Sequence, residues 1–570
     1  MGEDKNKRTG LVLVCGAGIT GMQTALDLAN SGAKVYLLEN KPNIGGAVAQ
    51  LDRTFENNMP AICQMAPRFD EIERHPNIEL ITHADLLRVK KTDGQFKVTI
   101  RKNPNRVDER CIDCGACVQV CPIKPFNTYE EGLSLRTAID IDNKSFNSFI
   151  YNIEKETPIC QETCPVHIDI RKYIGLIADG RYLDALAVVR EKNPLPAICG
   201  RVCNHPCESA CNRGRQDEPV AIDALKRFVS DYELQLSKQG KLPKPVVATI
   251  NKKLGKVAVV GSGPAGLTVA HDLAQQGIAS TIFEEAPVPG GMLWLAIPEY
   301  RLPRDIIQTE VDYICDMGVE LKLNTPINKD YSIDDLLKDG YKAVFLGIGA
   351  HQGLKLGVPG EDDFEGFLDC IVFLRRVNLG DTTKPGRKVV VIGGGNSAID
   401  AARTALRLGS EEVHIVYRRT IAEMPANSWE IEDAQKEGVK ISFLAAPVEI
   451  IGEKGKVAGM KCTRMQLGKL DASGRRRPVP IEGSDFIIET DIIVPSISQQ
   501  PNLEFLHEGH GLEINRWNSF DINSRTMQTN RPEIFSGGDA VTGPATVIEA
   551  IAAGHQAAAS MTRFVKGEKV

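Results

Sequence analysis

Three stretches of this 570-residue chain join a short apolar, β-rich run to a glycine-rich turn and then to a helix-like run. The first, LVLVCGAGITGMQTALDLANSGAKVYLLEN, carries Gly16, Gly18 and Gly21 in a G-x-G-x-x-G turn, Glu39 at the end of the next strand, and then Gly45 and Gly46. The second, KVAVVGSGPAGLTVAHDLAQQGIASTIFEEA, carries Gly261, Gly263 and Gly266, then Glu284 and the pair Gly290 and Gly291. The third, KVVVIGGGNSAIDAARTALRLGSEEVHIVYRR, carries Gly393, Gly394 and Gly395 before Asn396, and ends on Arg418 and Arg419. A lone G-x-G-x-x-G is weak evidence. Here each turn follows a strand-like run and opens a helix-like one, and the first two carry an acid about 18 to 20 residues on. The pattern predicts an α/β chain built on Rossmann-like FAD- and NAD(P)-binding domains.

Glycines let the backbone turn tightly and approach a pyrophosphate, which then rests on the amide end of the following helix. The acid accepts hydrogen bonds from ribose hydroxyls, so Glu39 and Glu284 suit the adenosine ribose of FAD or NAD. A carboxylate would repel the 2′-phosphate of NADP, whereas Arg418 and Arg419 suit it through charge-assisted bonds. The third domain is therefore expected to take NADP(H). Near the C-terminus, EIFSGGDAVTGPATVIEAIAAGHQAAA places Asp539 after Gly537 and Gly538 and before a helix-like run that begins near Thr546. Such a turn holds the ribityl or pyrophosphate part of a flavin, and the helix start favours negative charge on a reduced isoalloxazine. The expected chain order is an FAD half, an inserted nucleotide domain and an FAD return, with one FAD near 257–291 and 537–546.

Length alone predicts about four folding units. The 68 basic and 74 acidic residues leave a net charge of −6, which offers no field for nucleic acid or an acidic lipid surface. No apolar run approaches the roughly 18 residues of a membrane span. The apolar stretch after MGEDKNKRTG is short, glycine-rich and without a cleavage site, so the expected location is the cytoplasm. Fifteen cysteines in that compartment need a reason other than disulfides. Ten lie between Cys111 and Cys211; Cys15, Cys63, Cys315, Cys370 and Cys462 are scattered singly.

The run CIDCGACVQVCP sets Cys111, Cys114, Cys117 and Cys121 at the C-x2-C-x2-C-x3-C-P spacing of a bacterial ferredoxin, which predicts a [4Fe-4S] cluster. Cys160 and Cys164 follow in CQETCP, and Cys199, Cys203, Cys207 and Cys211 recur every four residues, close to one helical turn, with Pro206 arguing for a break. Ten thiols supply two all-cysteine cubanes with two left over. A third cluster needs a ligand of another type, and His167 and His205 are near. Cys164 either completes the cluster of Cys111, Cys114 and Cys117 or joins the later cysteines.

Residues from about 155 to 570 resemble the small subunit of glutamate synthase and its relatives, the large subunit of NADH-dependent ferredoxin:NADP oxidoreductase and the N-terminal part of dihydropyrimidine dehydrogenase. The motifs are C-x3-C-P, CGRVC, EPVAIDALKRF, VVGSGPAGL, the YRLP of Tyr300 to Pro303, VIGGGNSAIDAAR, YRR and the GGD turn. The resemblance implies an α-helical ferredoxin domain followed by a thioredoxin-reductase-like flavoprotein binding FAD and NADP(H). Those relatives carry a further C-x2-C before the position of Cys160. This chain has FIYNIEKETPIC there, so one of the family's clusters has lost ligands.

Residues from about 9 to 145 look like the N-terminal part of the A-type flavoproteins of heterodisulfide reductase, through GGAVAQLDRTF, RHPNIELIT, the ferredoxin motif and EEGLSLRTAI. That family's flavin domain is completed by a later glycine-aspartate turn, and the single such turn here belongs with the second flavoprotein. Two readings stay open: a second FAD near 16–46, or a remnant that presents the ferredoxin cluster. The cysteine-rich stretch that the family shows after LDRTF is reduced to Cys63, so no nonstandard cluster is expected there. The expected domains are a heterodisulfide reductase A-like partial FAD domain over 9–105, a ferredoxin-like segment over 106–150, an α-helical ferredoxin domain over 151–245, the first part of an FAD domain over 255–385, an NADP(H) domain over 386–495 and the FAD return over 496–570.

Nicotinamide moves electrons in pairs, clusters move them singly, and a flavin does both. The expected function is an NADP(H)-dependent flavin and iron-sulfur oxidoreductase subunit. It would exchange electrons with clusters or ferredoxin inside a complex of redox subunits, with electron bifurcation as its most elaborate form. The alternatives are the glutamate synthase small chain and a non-catalytic relay scaffold. A thioredoxin reductase is disfavoured because Cys315, Cys370 and Cys462 form no C-x2-C pair.

Overall fold

The computed structural model describes residues 10–41, 43–51, 53–55, 58–92, 95–102, 116–120, 137, 139–141, 151–153, 158–240, 248–471 and 474–570. The chain divides into two compact units, Met1–Thr157 and Pro158–Val570. Among the described residues no helix is long and apolar enough to cross a membrane. Cys111, Cys114 and Cys121 lie outside the described residues; Cys117 stands in the short helix Ala116–Val120.

In the first unit, strands Leu11–Cys15, Lys34–Leu38 and Ile78–Ile81 make a parallel sheet in that order, in the register Leu13, Tyr36, Glu79. Helices Ile19–Asn30 and Ala61–Arg74 close a core of Met22, Leu26, Val35, Leu37, Phe69 and Ile72. Strands Ala84–Thr92 and Gln95–Lys102 form an antiparallel hairpin.

The second unit opens with helices Ile159–Glu162, Ile170–Ala178, Tyr182–Arg190, Pro196–Val202, Pro206–Ser209 and Ile222–Lys238. A five-stranded parallel sheet follows, ordered Glu320–Lys322, Ala279–Phe283, Lys256–Val260, Tyr341–Leu346, Ile534–Ser536. The chain leaves this sheet after Leu346 and returns at Ile534, pairing Phe345 with Phe535. Between the two points lies a second parallel sheet, ordered Lys440–Phe443, Glu412–Tyr417, Lys388–Ile392, Ile492–Pro495. Antiparallel strands Ala445–Glu453, Lys456–Leu470, Arg476–Pro480 and Phe486–Glu489 cover it. The runs KVAVV and KVVVI are each buried from their second residue on, as expected for parallel strands flanked on both sides. LVLVC of the first unit is equally apolar, yet Leu11 is 69% exposed, because among the described residues this strand pairs with Lys34–Leu38 alone.

The helical segment and the five-stranded sheet share one core, in which Tyr173, Leu186, Leu195 and Ile198 belong with Leu267, Phe345 and Phe535. A charged group secures that junction. Glu310, on helix Arg304–Asp316, accepts the N–H groups of Ala197 (2.8 Å) and Ile198 (3.1 Å), in the first turn of the helix that carries Cys199. Burial raises its carboxyl to about 7, against the pull of those N–H groups and of Arg190. Glu310→Ala would strand two buried donors at about 1–3 kcal/mol each, so a loss of about 2–6 kcal/mol is expected in denaturant unfolding. Because the carboxyl sits above its ordinary value, ionising it costs stability as pH climbs from the usual carboxylate range to about 7. Glu310→Gln should flatten that part of the Tm–pH profile, and a profile parallel to that of the unmodified chain would refute the assignment.

Candidate nucleotide and iron-sulfur sites

Each glycine turn delivers the start of a twelve-residue helix: Ile19–Asn30, Pro264–Gln275 and Asn396–Arg407. Gly18, Gly263 and Gly395 are the N-caps, all in extended backbone, and no side chain caps any of them. The first N–H groups of each helix are left for an anion. The third glycine of each full motif is required by contact. A Cβ on Gly21 would lie 1.8 Å from the Gly16 carbonyl oxygen, and one on Gly266 2.1 Å from that of Gly261.

Glu284 and Glu39 sit alike. Glu284 accepts the Ser262 N–H (2.9 Å) and hydroxyl (2.6 Å) on one oxygen and the Ala286 N–H (2.8 Å) on the other. Glu39 accepts the Ala17 N–H (2.6 Å) and the Lys41 N–H (2.9 Å). Each acid thus braces the turn, and its oxygens keep further lone pairs for hydroxyls. Gly291 packs on Gly263 and Gly46 on Gly18, each placing a Cβ 3.1 Å from the opposed Cα. The three turns differ in what lies over them. At Gly261 a Cβ would meet the Gly347 carbonyl oxygen at 2.4 Å and at Gly393 the Ser496 carbonyl oxygen at 2.1 Å, whereas at Gly16 nothing is within 4 Å.

A single cleft of about 1320 Å³ joins most of the second unit's expected residues: Gly261, Gly263, Glu284, Gly291, Gly393, Gly395, Asn396, Arg418, Arg419, Gly538 and Asp539 all line it. Gly266 and Gly290 are buried and do not line it. Asp539 follows Gly538 (φ +68°) and accepts the Ala545 N–H at 3.1 Å; burial lifts its carboxyl to about 7. Thr546 and Glu549 form a capping box at the start of helix Val547–Val565, so a carboxylate occupies the helix end expected to favour a reduced flavin.

Sequence reasoning missed four features of this cleft. Val202 and Asn204, on either side of Cys203, line it, so the cysteine-rich segment reaches the cleft. Arg301, from the YRLP segment, pairs with Asp400 at 2.6 Å and with Glu430, tying that segment to helices Asn396–Arg407 and Ser428–Lys436; burial holds the Asp400 carboxyl at about 7 despite Arg301. Arg475 also lines the cleft. Lastly, Arg419 is 5% exposed, and its guanidinium is held by Asp471 (2.7 Å) and the Arg476 carbonyl (2.8 Å). Arg418 is exposed. The paired arginines therefore do different work.

The four-residue cysteine spacing is not one helical stripe. Cys199 lies in helix Pro196–Val202 and Cys203 caps its end; the chain turns through His205 (φ +38°), and Pro206 opens the short helix that holds Cys207. Cys164, Cys199 and Cys207 are buried in one core, Cys160 and Cys203 pack against it, and Cys211 is half-buried. Burial pushes the Cys199 and Cys203 thiols up and that of Cys207 to about 12, while the Lys226 ammonium acts against it on all three. At Cys211 the burial penalty is outweighed by N–H groups of Val220, Arg213 and Gly214, and the thiol falls below its ordinary value. Among the described residues no three His, Cys, Asp or Glu side chains already stand in a metal-ligating arrangement. Cys199, Cys203 and Cys207 nevertheless lie near one buried cation, Lys226, paired to Asp223 at 2.7 Å, and a cation favours the thiolate form in which cysteine ligates iron. The His167 ring lies 3.1 Å from the Gln161 carbonyl oxygen and the His205 ring stacks on Trp429 at 4.9 Å.

Comparison with known proteins agrees with this geometry. The model of the pyridine nucleotide-disulphide oxidoreductases matches residues 255–554, and a second model of that description matches 11–106. The dihydropyrimidine dehydrogenase domain II, 4Fe-4S cluster, matches 153–238 and the 4Fe-4S binding domain matches 105–125. The NADP(+)-dependent formate dehydrogenase subunit beta of Moorella thermoacetica is 45% identical over 72% of this chain and 60% of its own length. The NADPH-Fe(3+) oxidoreductase subunit beta of Geobacter sulfurreducens is 43% identical over 73% and 65%. The glutamate synthase [NADPH] small chain of Escherichia coli is 34% identical over 72% and 89%. The chain thus spans under two thirds of the first two relatives and most of the third. It carries FAD- and NADP(H)-binding domains together with iron-sulfur domains. With one family model covering more than half of its length, the chain belongs to the pyridine nucleotide-disulphide oxidoreductase family.

Proposed function

We propose that the chain is an oxidoreductase subunit that moves electrons between NADPH and iron-sulfur clusters or ferredoxin within a larger complex. The observation that carries the reading is the single cleft bounded by the Gly261 turn, the Gly393 turn and the two residues beside Cys203. A flavin exchanges hydride with nicotinamide and passes electrons singly to clusters, so one cleft facing all three suits the conversion. In this reading Gly261, Gly263, Gly266, Gly290 and Gly291 shape the turn that admits the FAD pyrophosphate, Glu284 takes its ribose hydroxyls, and Gly538 and Asp539 hold its ribityl side. Gly393, Gly395 and Asn396 receive the NADP(H) pyrophosphate. Cys164, Cys199, Cys203 and Cys207 form one cluster site, and Cys160 and Cys211 belong to another. Gly16, Gly18, Gly21 and Glu39 repeat the FAD turn in the first unit, and Cys111, Cys114, Cys117 and Cys121 hold a further cluster there.

Partner subunits are supported by the names of the Moorella and Geobacter relatives, both beta subunits. The Escherichia coli relative supports a second reading, in which the chain feeds a glutamine-using partner. Bifurcation between ferredoxin and a second acceptor is the most elaborate form of the first. The test is anaerobic titration of the purified chain with NADPH. Flavin bleaching followed by the electron-paramagnetic signal of reduced clusters is expected, and an unbleached flavin would leave only the relay-scaffold reading.

A further inference from the structure

Given the NADP(H) reading of the third glycine turn, on which this assignment rests, we propose that the 2′-phosphate is held between Arg418 and Arg475, and that Arg419 is a positioning residue. Arg475 opens a run of three arginines, Arg475 to Arg477, at the tip of the hairpin between strands Lys456–Leu470 and Arg476–Pro480. Arg476 and Arg477 are exposed. Arg475 is half-buried and alone among the three lines the cleft, as Arg418 does.

The hairpin tip is built to hold that orientation. Leu470 pairs with Arg476 across the hairpin; inside the turn the Asp471 N–H donates to the Arg475 carbonyl (2.7 Å), and the Arg475 N–H donates to the Asp471 carboxylate (3.2 Å). Gly474 supplies the left-handed residue, at φ +75°. Arg419 then grips both flanks of Arg475: its Nη2 bonds Asp471 Oδ2 at 2.7 Å and its Nε donates to the Arg476 carbonyl at 2.8 Å. This contact spans 52 residues and fastens the hairpin to the end of strand Glu412–Tyr417. It also neutralises the Asp471 carboxylate beside the turn. Arg418 from the strand end and Arg475 from the hairpin then both line the cleft. Two guanidinium forks match a dianionic phosphate, and NADH, which lacks that phosphate, gains nothing from either.

The test uses the full chain and two nucleotide fragments. Calorimetry should show that Arg475→Gln and Arg418→Gln each weaken 2′,5′-ADP binding about 10- to 100-fold, the loss of one charge-assisted hydrogen-bonding group, while 5′-ADP binding is unchanged. Anaerobic flavin reduction should show the same loss in kcat/KM for NADPH and none for NADH, and the NADH reaction confirms that each variant is folded. Arg419→Gln, by releasing the hairpin, should weaken 2′,5′-ADP as well, and Arg419→Lys should restore part of it because a lysine can still reach Asp471. Wild-type 2′,5′-ADP affinity in Arg475→Gln would overturn the clamp, and so would an Arg419→Lys variant as impaired as Arg419→Gln. A wild-type chain whose flavin neither nucleotide reduces would overturn the functional reading, and the 2′,5′-ADP arm would still decide the clamp.

Discussion

Gly266→Ala is expected to yield a folded chain that retains no NADPH-reducible flavin after desalting. The added Cβ would stand 2.1 Å from the Gly261 carbonyl oxygen and 3.1 Å from Val259 Cγ1. Neither neighbour can yield by rotating a side chain: the first is backbone, and Val259 is fully buried in the central strand of the five-stranded sheet. Helix Pro264–Gln275 must therefore lift away from the turn, and its uncapped N–H groups lose their aim at the pyrophosphate. Losing two such bonds to a charged group, at about 1.5–3 kcal/mol each, weakens FAD about 10²- to 10⁴-fold. Gly21→Ala is the control. Its Cβ would sit 1.8 Å from the Gly16 carbonyl oxygen, an equal insult in the first unit, and the NADPH-reducible flavin should remain. Flavin content and absorbance bleaching measure both. A Gly266→Ala protein with wild-type flavin would remove the Gly261 turn from the FAD site.

These turns are legible in sequence because their requirement is local and steric: no other residue fits Gly21 or Gly266, and the bracing acids follow at a fixed distance along the same βαβ unit. Parts of the site set by distant contacts are not legible in that way. Arg418 and Arg419 read as equivalent neighbours, yet Asp471, 52 residues away, occupies one of them and leaves the other exposed. LVLVC and KVAVV read as the same strand, and their burial differs because the second borrows a flanking strand from Tyr341–Leu346. The four-residue spacing from Cys199 to Cys211 is close to a helical turn, with Pro206 arguing for a break; the fold makes two short helices, Pro196–Val202 and Pro206–Ser209, with Cys203 and Cys211 outside them, and the fold, not the spacing, then sets which thiols meet. Glu310 carries no motif at all, since its partners Ala197 and Ile198 lie 113 and 112 residues away.

Cys203→Ser should uncouple the two halves of the reaction. In the proposed reading Cys203 ligates a cluster, and its neighbours Val202 and Asn204 line the cleft that the Gly261 turn also lines. A serine hydroxyl keeps the volume and loses the thiolate, and the neighbouring Lys226 is a cation that cannot take its place as a ligand. Changes one shell away from a metal already cost about 10- to 100-fold, so removal of a ligand is expected to exceed that in the reduction of a one-electron acceptor such as ferredoxin. Reduction of the flavin by NADPH requires no cluster and should proceed at the wild-type rate. Iron content should fall by one cluster, separating the effect from misfolding. Cys63→Ser serves as the comparison, since Cys63 is exposed and outside the cysteine-rich segment. Wild-type ferredoxin reduction in Cys203→Ser would mean that electrons leave the flavin by another route, and loss of flavin bleaching in the same variant would mean that Cys203 supports the flavin pocket rather than the electron exit.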